Sequence, residues 1–222
     1  MMAGSGGLRT VRVWDLPVRL FHWTLLLLLM AMWWTGEQRD IETHSRIGVV
    51  VLGLLVFRIL WGLFGSETAR FRHFLKAPGV VIAYLRGRVP HEVGHNPLGG
   101  WSVAVILFTL LIHCTLGLFA QDSDGMESGP LSYLVSYDTA DAARVWHNRL
   151  FNLILALAVL HITAVFAYLF KGNNLLLPMV TGEKDLPEAV PAPRMGRPAL
   201  LLLALLVSGA LAWWIGRGAP LS

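Results

Sequence analysis

Five apolar stretches, each long enough to cross a lipid bilayer, constrain this chain more than any other feature of its sequence. A hydrocarbon core of about 30 Å asks for roughly 20 consecutive apolar residues in a helix. The first stretch lies between Arg19 and Glu37, and the second between Arg46 and Glu67 with Arg58 as its one interruption. The third runs from Asn96 to Gln121, the fourth from Arg149 to Lys171 and the fifth from Arg197 to Arg217. Backbone in lipid must satisfy its own hydrogen bonds, so each stretch is expected to be a helix. The first exceeds a signal-peptide core and ends in WWTGEQ rather than a small-residue cleavage site, so it reads as a retained span. Only 14% of the 222 residues are charged, against about 25% in an average soluble domain. An ordinary water-soluble enzyme is excluded.

The cations sit between the apolar blocks. Arg9, Arg12, Arg19, Arg70, Arg72, Lys76, Arg86, Arg88, Lys171, Lys184, Arg194 and Arg197 fall on one side of the predicted topology, and Arg39, Arg46, Arg144 and Arg217 on the other. Basic connections stay in the cytoplasm, which predicts a cytoplasmic N-terminus and an outward-facing acidic loop over 121–143. The net charge of +4 therefore reflects topology, and no nucleic-acid partner is expected. Cys114, the single cysteine, rules out an internal disulfide and thiolate-held zinc or iron–sulfur centres. Without a C-x-x-C-H motif, any haem would be held non-covalently. No P-loop, dinucleotide fingerprint or nucleophile–base arrangement appears in the context it needs.

Ionisable side chains inside a membrane are functional candidates by default, so the chemistry is sought among the eight histidines. His73, His91 and His95 fall in the basic connection after the second span and read as solvated. His147 and His161 are the informative pair. Fourteen residues amount to roughly four helical turns, so both rings project from nearly one face about 21 Å apart along the axis. That spacing suits two metal centres stacked across a bilayer and is far too wide for one ion. Each needs a partner ring from another helix. His44, opening the second span beside Arg46, matches His147 in depth. His22, three residues past Arg19, comes out about 10 Å shallower than His161 if the spans begin at their flanking charges. Two imidazoles on opposite sides of a haem iron leave no open position, which favours electron transfer over oxygen chemistry. Arg19, Arg46, Arg58, Arg144 and Arg149 are candidate partners for haem carboxylates. Gly48, Ala158 and Ala164 would make room for a flat ring, with Trp23 and Trp146 as walls. For His113 three roles stay open: a polar contact between helices, a neighbour of the outer centre, or part of a quinone pocket.

With VWDLPVRLFHW in the first span, THSRIG and FRILWG in the second, GHNPLGGWSV before the third, and WHNRLFN, LHITAVFAY and KGNNLLLPMVTGEK around the fourth, the chain resembles the prokaryotic cytochrome b561 and nickel–iron hydrogenase b-type cytochrome family over residues 10–184. The resemblance implies an all-α membrane protein: a four-helix bundle over 1–184 binding two haem b groups. It also implies electron transfer between a quinone pool and a redox partner such as a c-type cytochrome or an oxidoreductase subunit. By position, His22 and His161 would ligate one haem, and His44 and His147 the other. A proline-rich linker over 185–197 and an additional C-terminal transmembrane helix over 198–217 lie outside that core. The expected setting is a bacterial inner membrane. Two alternatives stand beside this reading: a membrane anchor of a hydrogenase or similar complex, and a haem-free transporter with a histidine relay.

Overall fold

The computed structural model describes residues 7–88 and 93–220; His91 lies outside them. Five of its helices are long and apolar enough to cross a membrane: α1 (Leu16–Glu37), α2 (Ile41–Phe64), α5 (Pro97–Phe119), α6 (Tyr137–Phe170) and α8 (Pro198–Gly216). The shorter α3 (Phe71–Phe74) and α4 (Pro78–Leu85) lie in the connection after α2. Helix α7 (Leu176–Thr181) follows α6, and a two-stranded ribbon pairs β1 (Leu8–Arg12) with β2 (Glu183–Pro187).

Local chemistry sets where the helices start. Asp15 caps α1 by accepting from the Val18 amide at 2.8 Å, with Pro17 in the first turn. Asp40 caps α2 through Thr43, and Asn96 caps α5 through Gly99 with Pro97 at the first position. These side chains satisfy amides that would otherwise be orphaned at each N-terminus. The Asp40 carboxyl is held below its usual range by the Thr43 hydrogen bonds. Ser136 caps α6 well before the apolar run begins. The helix is 34 residues long, or about 51 Å. Residues 137–143, expected in the acidic loop, are its first two turns, because Ser136 rather than Arg149 marks the start.

Helix α2 is central, packing against α1, α5 and α8, while α6 packs along α5 and not extensively against α1 or α2. Lipid gives apolar faces no reason to seek one another, so close packing depends on small residues. At Gly53 an added Cβ would lie 3.0 Å from the Ala212 Cβ of α8. A slot is left between α6 and the α1–α2 hairpin, and its two ends are tied differently. At one end β1 and β2 run antiparallel, with Thr10 donating to Asp185 at 2.6 Å. Val13 and Trp14 amides both donate to the Gly182 carbonyl. Gly182 has φ of 87°, and a Cβ there would strike the Trp14 oxygen at 2.7 Å, so the tie requires glycine. Trp23 Nε1 reaches the Met179 carbonyl at 3.2 Å, and Arg19 donates to the carbonyl of Val180. The start of α1 is thus fastened to the chain leaving α6, while along their length the two helices meet only through side chains such as Trp33 and Phe151, whose rings are 6.4 Å apart.

Beneath this ribbon end, buried Asp15 also accepts from Trp61 Nε1 at 2.8 Å and from the Ser66 hydroxyl. That network accounts for the VWDLP and FRILWG segments together. Residues 183–187 form β2, and the chain after them is docked rather than free. The Val190 carbonyl accepts from Arg9, and Arg194 and Glu67 exchange hydrogen bonds.

Candidate functional site

Two pairs of histidines face each other across the slot. His22 of α1 and His161 of α6 have ring centroids 6.4 Å apart, and His44 of α2 and His147 of α6 are 6.2 Å apart. The expected 10 Å depth mismatch between His22 and His161 is absent. Helix α1 begins at Leu16, so Arg19 is already inside its first turn and does not mark the end of the span. Among the described residues, no three His, Cys, Asp or Glu side chains gather as a metal cluster. The arrangement is one of opposed pairs.

The fit to a flat iron macrocycle can be tested on the ring spacing. A metal–imidazole nitrogen bond is about 2.0–2.1 Å, and a ring nitrogen lies about 1.2 Å from its ring centre. Two rings ligating one ion from opposite sides therefore stand about 6.4 Å apart, as both pairs do. The imidazole nitrogens at the loop end are also committed in the right sense. His44 Nδ1 bonds the Met32 carbonyl at 2.9 Å, and His147 Nδ1 bonds the His113 carbonyl at 2.9 Å. An Nδ1–H given to a carbonyl leaves Nε2 unprotonated and able to ligate. The residues fit the group.

The arginines divide. Arg46 pairs with Glu42 and Arg144 with Asp141, both one turn away on their own helices, and Arg149 lies over the Trp146 ring at 5.2 Å. Their charges are already answered locally. Arg19 keeps a buried Nε with no partner, one turn from His22. Arg58 is 2% exposed. It donates to the Ala69 carbonyl at 3.2 Å and lies against Phe71 and Phe74. Of the five, Arg19 retains an unpaired donor one turn from His22, and buried Arg58 lies near His95. Trp23 meets His22 edge-on at 5.0 Å, whereas Trp146 is exposed. Gly48 makes room for the Met32 methyl of α1, 3.4 Å from where its Cβ would be.

Two histidines depart from the sequence reading or extend it. His95 is not solvated. It is wedged between Trp14 at 4.6 Å and Phe74 at 4.8 Å, with a buried, unpartnered Nδ1. Burial, then the charge of Arg58 and proximity to His161, press its pKa down to about 3. The connection folds under the bundle, which no count of flanking charges reveals. His73, by contrast, is half-exposed and 3.7 Å from Glu67. His113 lies beside the loop-end pair, its ring stacked on His147 at 3.8 Å and 17°. Gly117, one turn on, would bring a Cβ within 2.9 Å of the same ring. The four-residue spacing of His113 and Gly117 was the available signal: both had to share one face of α5.

Residues 13–182 match the prokaryotic cytochrome b561 family. A relative described as a probable Ni/Fe-hydrogenase B-type cytochrome subunit, from Cupriavidus necator, is 21% identical over 227 aligned residues, covering 84% of this chain and 92% of that protein. No solved structure matches the chain.

Proposed function

This chain belongs to the prokaryotic cytochrome b561 family, and on that premise we propose that it holds two b haems, one between His22 and His161 and one between His44 and His147. It is a multi-pass bacterial membrane protein and a membrane cytochrome of electron transfer. The observation that carries the finer reading is the pair of opposed imidazole sets at 6.2 and 6.4 Å, about 21 Å apart along α6. Each haem, when bound, supplies one-electron chemistry.

The protein's part would be to hold each group between two imidazoles, His22 with His161 and His44 with His147, and to limit the access of water. The carbonyls of Met32 and His113 orient His44 and His147, and the ribbon with the Gly182 carbonyl holds the start of α1, and so His22, to the chain that follows His161. Arg19 and Arg58 are the cations available to haem carboxylates at the ribbon end. Electrons would pass between a quinone and a protein redox partner. The excess of Lys and Arg on the ribbon-end connections supports a cytoplasmic position for that end and for the N-terminus.

A second reading shares this chemistry. The hydrogenase-subunit description of the Cupriavidus relative favours a role as the membrane subunit of an oxidoreductase complex. Pyridine haemochrome analysis of the purified, haem-supplemented protein tests the two-haem reading directly. Two haems b per chain are expected, and one or none overturns it. Copurification of a second subunit separates the two physiological roles.

A further inference from the structure

We propose that His113 is a positioning residue of the loop-end centre, its ring fixing the plane of His147 through a parallel stack. The inference rests on the ligand assignment above and extends it to a side chain outside the four ligands.

Three contacts from α5 converge on His147. The His113 carbonyl bonds Nδ1 at 2.9 Å, which fixes the direction of the ring but leaves it free to tip about that axis. The His113 ring, 3.8 Å away and only 17° from parallel, lies flat against one face. Gly117 leaves no more than contact distance at Cε1, where an added Cβ would come to 2.9 Å. The ring is thus held in direction, plane and edge by one helix. His113 Nδ1 is buried and has no hydrogen-bond partner. Among the described residues none stacks in this way on His161, whose ring contact is with His22.

Ring planes matter because the angle between two axial imidazoles sets the anisotropy of a low-spin ferric centre. Near-perpendicular planes leave two iron orbitals almost equal in energy and give the largest g values; more parallel planes split them. The loop-end pair stands at 80° and the ribbon-end pair at 51°. Two different ferric signals are therefore expected, with the more anisotropic belonging to the loop end and depending on His113.

The test uses electron paramagnetic resonance of the oxidised, fully haem-loaded full chain, with haem per chain measured alongside. His147→Ala should remove one haem and the more anisotropic signal together, which anchors the assignment. His113→Phe, which keeps a flat ring, should retain both haems and both signals. His113→Ala and His113→Leu should retain both haems while the loop-end g value falls toward that of the ribbon end, the ribbon-end signal staying in place. Unchanged loop-end spectra in both the Ala and Leu variants would overturn the proposal. So would equal movement of both signals, or loss of a haem from His113→Phe. Should His147→Ala keep two haems, the ligand assignment itself fails, a result distinct from failure of the stack.

Discussion

The two ends of the slot present the same pair of side chains and hold them by different means. At the loop end both imidazoles are anchored through Nδ1 to backbone carbonyls of neighbouring helices, Met32 for His44 and His113 for His147. At the ribbon end His22 Nδ1 is buried without a partner. The order there comes from the chain around them: the β1–β2 ribbon and the Gly182 carbonyl fasten the start of α1 to the chain leaving α6, and the Asp15 network fastens it to the end of α2. One site is positioned by its immediate contacts, the other by the frame that carries it. Ligand orientation can be built in either way, with different sensitivities to mutation.

The largest effects should come from the four proposed ligands. His147→Ala and His161→Ala are each expected to lower haem content from two per chain to one, and redox-difference spectra should show the remaining centre intact. Loss of both haems from either change would mean that the ends are not independent. Next is a glycine pair. Gly117→Val puts a methine carbon where the structure allows 2.9 Å to His147, whereas Gly36→Ala meets His44 at 3.5 Å, an ordinary contact. Gly117→Val should weaken haem retention at the loop end by roughly 10–100-fold, with Gly36→Ala nearly silent, as followed by haem loss to apomyoglobin.

Asp15→Asn should act mainly on the other end. It weakens charge-assisted hydrogen bonds from Trp61 and Ser66, lowering thermal stability by about 2 kcal/mol. It should also release the ribbon-end haem first on heating. A uniform loss at both ends would erase the distinction drawn here.

The smallest effect concerns pH. The Arg194 backbone hydrogen bond and nearby cations hold the Glu67 carboxyl below its usual range. A carboxylate whose folded pKa is depressed contributes stability above its unfolded pKa and loses it as pH falls through the folded value. Docking of residues 188–197 should therefore loosen on acidification, read as faster proteolysis there. Glu67→Gln should flatten that profile while leaving haem content unchanged.

Much of this was legible from residue order alone, and for identifiable reasons. An apolar run of bilayer length has no other way to satisfy its backbone, so all five long helices could be read directly. Helical periodicity also made it readable that His147 and His161, 14 residues apart, project from one face of α6 about 21 Å from each other. Helix starts were less legible where charge was taken as the marker. Asp15-Leu-Pro and Ser136 begin α1 and α6 ahead of Arg19 and Arg149, because caps answer to orphaned amides rather than to a membrane boundary. That difference removes the apparent depth mismatch between His22 and His161.

What residue order determined, then, was the number of spans, their helical state and the axial interval between two imidazoles, since each depends on local backbone geometry and on the thickness of the lipid. The tertiary structure alone decided the rest: that His22 meets His161, that His95 is wedged half-buried between Trp14 and Phe74, and that His113 lies flat on His147. Those facts depend on how helices are rotated and set in depth relative to one another. That is fixed by caps, a ribbon and glycine contacts far apart in the chain, and no single helix carries the information.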